Sequence, residues 1–337
     1  MVSQAVLKTL IYADLFDFPL KFEELVKFLI FSSRIDRSLV KKELSRVVNL
    51  RLVEKKEGFY FLRGRQGIVS LRQKREKWSI EKIKIARKIT AILKSVPWIQ
   101  AVLLTGALAC RNCEQEDDID CLIITSKERL WLTRFFTVLI LEILGWRRRP
   151  QEKKIRNKLC LNMFLSKDCL ALPENERDLF TAHEVLQTQL LWQRNNSYLS
   201  FIKANRWVGN YLANAYSEIL EKEKKRGKID SKKRNNSCFF DFLERLVFLF
   251  QTNYMKPRRT IEVVESSRAL FHPQDSRSWV MREYNKRISN LPGLASRPRL
   301  DSVEDGSARP MAGKSQNYDS QKIPDVLKFP RCQKVKQ

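Results

Sequence analysis

Residues 102–125, VLLTGALACRNCEQEDDIDCLIIT, constrain the fold more than any other stretch of the chain. Residues 102–105 are apolar and β-branched enough for a buried strand. Gly106-Ala107 ends that strand, residues 107–111 can begin a helix, and residues 113–117 form a polar loop. Asp118-Ile119-Asp120-Cys121-Leu122-Ile123-Ile124 then reads as a second strand that opens with alternating acid and apolar residues. Side chains at i and i+2 of a strand share a face. Asp118 and Asp120 therefore project together, their Cα atoms roughly 6.5–7 Å apart at strand rise. Two carboxylates converging in this way suit a divalent cation that carries phosphate oxygens. Gly106 lets backbone approach a phosphate closely, and a helix starting just after it would aim free N–H groups at that anion.

Gly106-Ala107, ten intervening residues and Asp118-Ile119-Asp120-Cys121 match in order and spacing the signature of the nucleotidyltransferase superfamily, which includes DNA polymerase β and the small bacterial nucleotidyltransferases. The resemblance covers about 25 residues directly and residues 99–165 more loosely. It implies a small mixed-sheet domain, Mg²⁺ (or Mn²⁺) on Asp118 and Asp120, a nucleoside triphosphate as substrate, and triphosphate contacts from Gly106 and Ala107. Two positions depart from the family pattern. Ala107 stands where a serine is usual, which removes a hydroxyl donor to phosphate; a hydrogen bond to a charged group is typically worth about 1.5–3 kcal/mol. Arg111 stands where the small enzymes usually carry glycine. Residues 158–165, KLCLNMFL, are the expected third strand, on which the family presents a third acid. Leu161-Asn162-Met163 occupies that place, so Asn162 offers the nucleotide site a neutral oxygen instead of a carboxylate. Asp117, Asp168 and Glu184 are the acids that can substitute for it.

The chain has 337 residues, 43% of them hydrophobic, which is enough for two or three domains with a sizeable core. Its formal net charge of +26 favours nucleic acid, an anionic surface or polyphosphate as partner. The cations are scattered over the whole length, so charge alone does not choose among these. Seven cysteines are an odd number without framework spacing. Cys110-x-x-Cys113 is a single pair, and the histidines are His183 and His272. This usage fits buried thiols in a reducing cytoplasm better than disulfides or zinc. No leader sequence is evident, and the apolar run at 135–141 meets Glu142 and three arginines too soon to span a bilayer.

Upstream, residues 4–16, 22–31 and 37–50 read as helices, the third capped by Asp36. Residues 52–56 and 59–63 around Glu57-Gly58 read as a β-hairpin. Three short helices followed by a hairpin resemble a winged helix. Its third helix would carry Arg37, Lys41, Lys42 and Arg46 towards DNA or RNA phosphates, and protein contact is the alternative use. Residues 68–93 form a long basic helix with a packed face and a solvated one. Downstream, helices are expected over 130–145, 179–192, 198–219, 238–254, 260–271 and 276–288, with 221–236 as a charged linker and residues 291–337 as a disordered tail. Within these, His183-Glu184 suggests either a catalytic pair or a structural histidine. Trp192, Phe201, Trp207 and Tyr211 read as core aromatics, and Arg206 can reach a phosphate by analogy alone. The amphipathic helix at 238–254 should dock on earlier helices or on a second subunit.

The expected fold is thus α/β (α+β): a winged-helix-like domain at 1–65, a basic connecting helix at 66–97, a nucleotidyltransferase-like domain at 98–170, a helical region at 171–289 and a tail at 290–337. The expected function is transfer of a nucleoside monophosphate from Mg-NTP to an acceptor hydroxyl. The alternative is a nucleotide- or nucleic-acid-binding protein with weak or no turnover, favoured by Ala107 and Asn162. A partner protein or homo-oligomer is a third element of this expectation, and no integral membrane segment belongs to it.

Overall fold

The computed structural model describes residues 1–150, 152–225, 238–256, 263–270 and 276–290. The fold is mixed α/β with two sheets. Helices α1 (Val2–Asp14), α2 (Phe22–Lys27) and α3 (Arg37–Asn49) precede a three-stranded antiparallel sheet in the order β1-β3-β2. Its strands are β1 (Leu20–Lys21), β2 (Val53–Lys56) and β3 (Phe59–Leu62). Asp36 caps α3 as its sequence predicts, accepting from Ser38 N at 2.7 Å. Val40, Leu44 and Val47 are its buried stripe. Glu57 and Gly58 both have positive φ, 52° and 82°, the backbone that a tight two-residue hairpin requires.

Helix α4 (Ile68–Leu93) follows as one continuous element. Its cations are not all solvated, as a charged face would suggest. Arg72, Arg75 and Lys82 are buried, because each finds carbonyl or carboxylate oxygens on neighbouring loops that replace its water.

The second sheet has six strands in the order β7-β4-β5-β6-β9-β8. They are β4 (Ile99–Leu104), β5 (Ile119–Thr125), β6 (Leu159–Ser166), β7 (Gln189–Gln193), β8 (Val263–Val264) and β9 (Arg268–Leu270). The single-turn α5 (Gly106–Ala109) lies between β4 and β5. The β5–β6 pair is parallel and joined through α6 (Leu130–Ile143), while the remaining pairs are antiparallel. Both faces of β4 and β5 are covered, which is why their sequences are unbroken apolar runs. Ala101, Leu103, Leu122 and Ile124 join one core cluster; Val102, Leu104, Cys121 and Ile123 join the other.

The remaining helices are α7 (Leu179–Leu186), α8 (Ser197–Ala204), α9 (Ala213–Lys225), α10 (Cys238–Met255) and α11 (Ser276–Ser289). Residues 171–289 are therefore not purely helical. The helix expected over 179–192 stops at Leu186, and β7 then pairs with the open edge of β4. Within the stretch 260–271, the described residues form β8 and β9, which extend the sheet beyond β6. In both places an unpaired sheet edge outweighs local helical periodicity. Of the charged linker expected over 221–236, residues 221–225 end α9, while residues 226–236 and the tail at 291–337 lie outside the described residues.

The N-terminal helices share one core with the sheet and with α7–α9. Ile35 N donates to Asn214 Oδ1 at 2.9 Å, and Phe31 N donates to Tyr211 O at 2.9 Å. Phe201 is buried; Trp207 and Tyr211 pack partly buried against the same core. On the opposite face of the sheet, α10 packs on α6. The buried Glu244 carboxylate accepts from Trp131 N and Leu132 N at 2.7 and 3.0 Å, so α10 supplies the cap that α6 lacks in its own sequence. The outward face of α10 leaves Phe239, Phe242, Leu246, Leu249, Phe250 and Tyr254 exposed. No helix among the described residues is long and apolar enough to cross a membrane.

Candidate functional site

The site is built where β4 ends beside the start of β5. Thr105 N donates to Asp120 O at 3.1 Å, and this register sets Gly106 against the Asp120 side chain. Gly106 has φ +61°, and a Cβ there would lie 3.2 Å from Asp120 Oδ2. Glycine is needed twice over at this point, for the backbone turn and for room for the carboxylate.

The loop after α5 is held from several sides. Arg111 takes φ 56°, the left-handed conformation that a glycine would adopt without strain. The fully buried Arg72 donates to Arg111 O at 2.5 Å and to Glu24 Oε1 at 2.7 Å, and its guanidinium lies 4.1 Å from the Phe18 ring centroid. Lys82 donates to Asp117 O at 2.6 Å and to Asn157 Oδ1 at 3.1 Å. Asp117 itself accepts from Glu114 N at 2.7 Å and serves the loop. Asp168 accepts from Ser166 Oγ, away from the acid pair. Neither residue stands in for the third acid.

Asp118 and Asp120 converge as the i, i+2 spacing requires. One ligand atom each from Asp118, Asp120 and Cys160 lie within 4.8 Å of one another, the one such cluster among the described residues. Cys160 is paired directly with Asp120 across the parallel β5–β6 ladder, and the register then shifts before Leu122 meets Met163. That irregularity gives β6 an extra residue there and brings Asn162 to the same acid. Asn162 Nδ2 donates to Asp120 Oδ1 at 2.9 Å, while Asn162 Oδ1, on a residue only 6% exposed, has no partner. Arg148 donates to Asp118 Oδ2 at 2.5 Å and lies 3.6 Å from Cys160 Sγ. Burial, and next the Asp118 carboxylate, hold Asp120 above the usual carboxylate range against the pull of Arg148. Burial also raises the Cys160 thiol.

The side chains of Asp118, Asp120, Leu122 and Ile124 alternate onto the sheet face that looks towards α1 and α7. A cavity of about 620 Å³ lies on that face. Thr105, Gly106 and Ala107 form one part of its wall, and Tyr12, Phe16 and Phe180 another. His183 and Glu184 line it too. Burial pushes His183 down to about 3 and Glu184 up to about 7.

The structure thus brings together Gly106, Ala107, Asp118, Asp120 and Asn162. It does not bring α3 to them: Arg37, Lys41, Lys42 and Arg46 are exposed on that helix. Arg37 pairs with Glu23, and Arg46 lies 3.9 Å from Glu43. Arg206 is exposed and is not part of the cavity wall. Cys110 and Cys113 are free thiols; Cys113 Sγ lies 3.0 Å from Ser79 Oγ, a packing contact and not a zinc ligand set.

Two residues of the site escape sequence reasoning. Cys160 is the one with a usable signal, since it stands two positions before Asn162 on the same strand. Arg148 is one of three successive arginines with nothing to single it out. Glu184, already a candidate acid in the sequence, lies in the cavity wall through the packing of α7. No protein-family model and no curated protein matches this chain.

Proposed function

We propose that this chain is a nucleotidyltransferase that moves a nucleoside monophosphate from a metal-bound nucleoside triphosphate to an acceptor hydroxyl. The observation that carries the reading is the convergence of Asp118 and Asp120 at the start of an interior strand, beside the Gly106 turn. The donor set fits a divalent cation: two carboxylates, with a buried amide oxygen of Asn162 that lacks a partner close by. A cation held there, Mg²⁺ or Mn²⁺, supplies charge neutralisation for the triphosphate oxygens.

The chain's own residues have distinct tasks. Asp118 and Asp120 hold the cation, and Gly106 and Ala107 leave the strand end open for phosphate. Arg148, paired with Asp118, is the cation placed to meet a phosphate oxygen when that pair opens. In the transfer the acceptor oxygen bonds to the α-phosphorus, the bond to pyrophosphate breaks with its electron pair leaving on pyrophosphate, and the hydroxyl proton passes to water. Positioning and electrostatics supply most of the acceleration.

Asn162 in the place of a third acid favours a second reading, nucleotide binding without turnover. The helix and hairpin order of residues 1–65 supports a winged-helix-like module, with Lys41, Lys42 and Arg46 available to DNA or RNA. The exposed apolar face of α10 supports a partner protein or a second copy, and a cytoplasmic setting suits the free thiols.

Calorimetry of Mg²⁺–NTP and Mn²⁺–NTP binding, wild type against Asp118→Asn/Asp120→Asn, tests the site. Binding that requires metal and both acids is the expected outcome, followed by pyrophosphate release with a competent acceptor. Metal-dependent binding without release under any acceptor supports the second reading. Equal binding by wild type and a well-folded double variant refutes both.

A further inference from the structure

Helix α7 places two polar groups in the cavity wall that no described residue satisfies. His183 is 3% exposed, and its ring stacks on Tyr12 with centroids 4.0 Å apart and planes 10° apart. Its Nδ1 accepts from Gln187 Nε2 at 3.2 Å, which puts the ring proton on Nε2. That N–H has no acceptor among the described residues. Glu184, the next residue, makes no hydrogen bond or ion pair with any described residue, and burial alone accounts for its raised proton affinity. The other charged side chains of the wall are compensated. Arg268 pairs with Glu176, and Arg277 pairs with Asp178.

A lone carboxylate among apolar groups is costly to keep. The surrounding wall is aromatic and aliphatic, from Tyr12, Phe16, Leu122, Met163 and Phe180. Aromatic faces attract organic cations, and a cavity of about 620 Å³ has the size of a small-molecule site. One end of it is the Gly106–Ala107 turn that touches Asp120.

We propose that this cavity binds a small organic cation with an apolar body, its ammonium group on Glu184 and an oxygen acceptor on His183 Nε2, and that this molecule is the acceptor of the transferred nucleotide. The word acceptor rests on the transferase reading; the binding site does not. A polynucleotide acceptor fits poorly, because its phosphates would meet the uncompensated Glu184 carboxylate.

The test uses the full chain and two fluorescent probes with the same aromatic body. Dansylcadaverine carries an ammonium group, and N-dansyl-6-aminohexanoic acid carries a carboxylate. The cationic probe is expected to bind saturably and the anionic one not, even though a chain of formal net charge +26 favours anions everywhere else. Glu184→Gln is expected to weaken the cationic probe roughly tenfold or more, the worth of a charge-assisted contact. Equal binding of the two probes, binding of neither, or indifference to Glu184→Gln overturns the proposal, and the wild-type comparison needs no variant to fold. Loss of the probe result with intact metal–nucleotide binding removes the cavity assignment alone. The reverse pattern removes the transferase reading and leaves the cation site standing.

Discussion

Replacing Gly106 by alanine separates the two demands on that residue. The first is conformational: φ is +61°, and an L-residue held in the left-handed region costs roughly 1–2 kcal/mol. The second is steric: the new Cβ would sit 3.2 Å from Asp120 Oδ2, so the carboxylate must give way by a few tenths of an ångström. Asp120 is poorly placed to do so, because Asn162 holds its other oxygen at 2.9 Å. Gly58 and Gly64 provide the control. They have φ +82° and +80°, and a Cβ at either meets nothing within 4 Å. All three alanine variants should therefore lose roughly 1–2 kcal/mol, a melting shift of roughly 1–3 °C for a chain of this size. Gly106→Ala alone should also lose Mn²⁺–nucleotide affinity, by roughly tenfold or more if one ligand is displaced. Thermal melts and calorimetry on the three proteins suffice. Wild-type affinity in Gly106→Ala, or an equal loss in Gly58→Ala, would refute the argument that the glycine makes room for Asp120.

Glu184→Gln should stabilise the protein in a pH-dependent way. The folded pKa is raised from 4.5 to about 7, so the unfolded chain releases the proton first and stability is lost as pH rises from 4.5 through 7. The variant should match wild type at pH 4 and exceed it by up to about 3 kcal/mol at pH 8.5; an equal difference at both pH values, measured by urea melts, defeats the assignment. His183 works in the other direction: its pKa is lowered from 6.5 to about 3, so the unfolded chain takes up the proton first and stability falls as pH drops below 6.5. His183→Phe should flatten that acid limb. Arg72→Met should cost about 2 kcal/mol, since it removes the donor to two loop carbonyls and to one Glu24 oxygen; a loss below about 0.5 kcal/mol in denaturant melts would show that the clasp contributes little. If α3 meets nucleic acid, Lys41→Ala/Lys42→Ala/Arg46→Ala should lower the logarithmic salt slope of DNA binding by about one per lost phosphate contact; an unchanged slope excludes that face.

The sequence is most legible where local chemistry and tertiary packing agree. Asp36 caps α3, Glu57-Gly58 turns the hairpin, and the apolar runs of β4 and β5 are buried on both faces. The pairing of Asp118 with Asp120 follows from strand period alone. The anomalous Arg111 also proves informative, since it carries the positive φ that its place between strands demands. Legibility fails where long-range pairing decides. Strands β7, β8 and β9 look helical or indeterminate by periodicity and become strands by completing an existing sheet edge. The burial of Arg72, Arg75 and Lys82 depends on oxygens from loops distant in sequence. Arg148 and Cys160 reach the acids only through the β5–β6 ladder and the loop before it.

Strand β5 is hydrogen-bonded on both edges, to β4 and to β6. Asp120 therefore inherits its position from backbone bonds on both sides, and Asp118 stands immediately before the strand so anchored. The cavity facing them has walls of a different kind: Phe16, Phe180 and Phe201 come from the end of α1 and from α7 and α8, which meet the sheet through side-chain packing. Substitutions in those walls can reshape the cavity without shifting the register that aligns the acids. A fold partitioned in this way separates the shape of the cavity from the alignment of the acid pair, so a few aromatic substitutions can alter the one and leave β5 untouched.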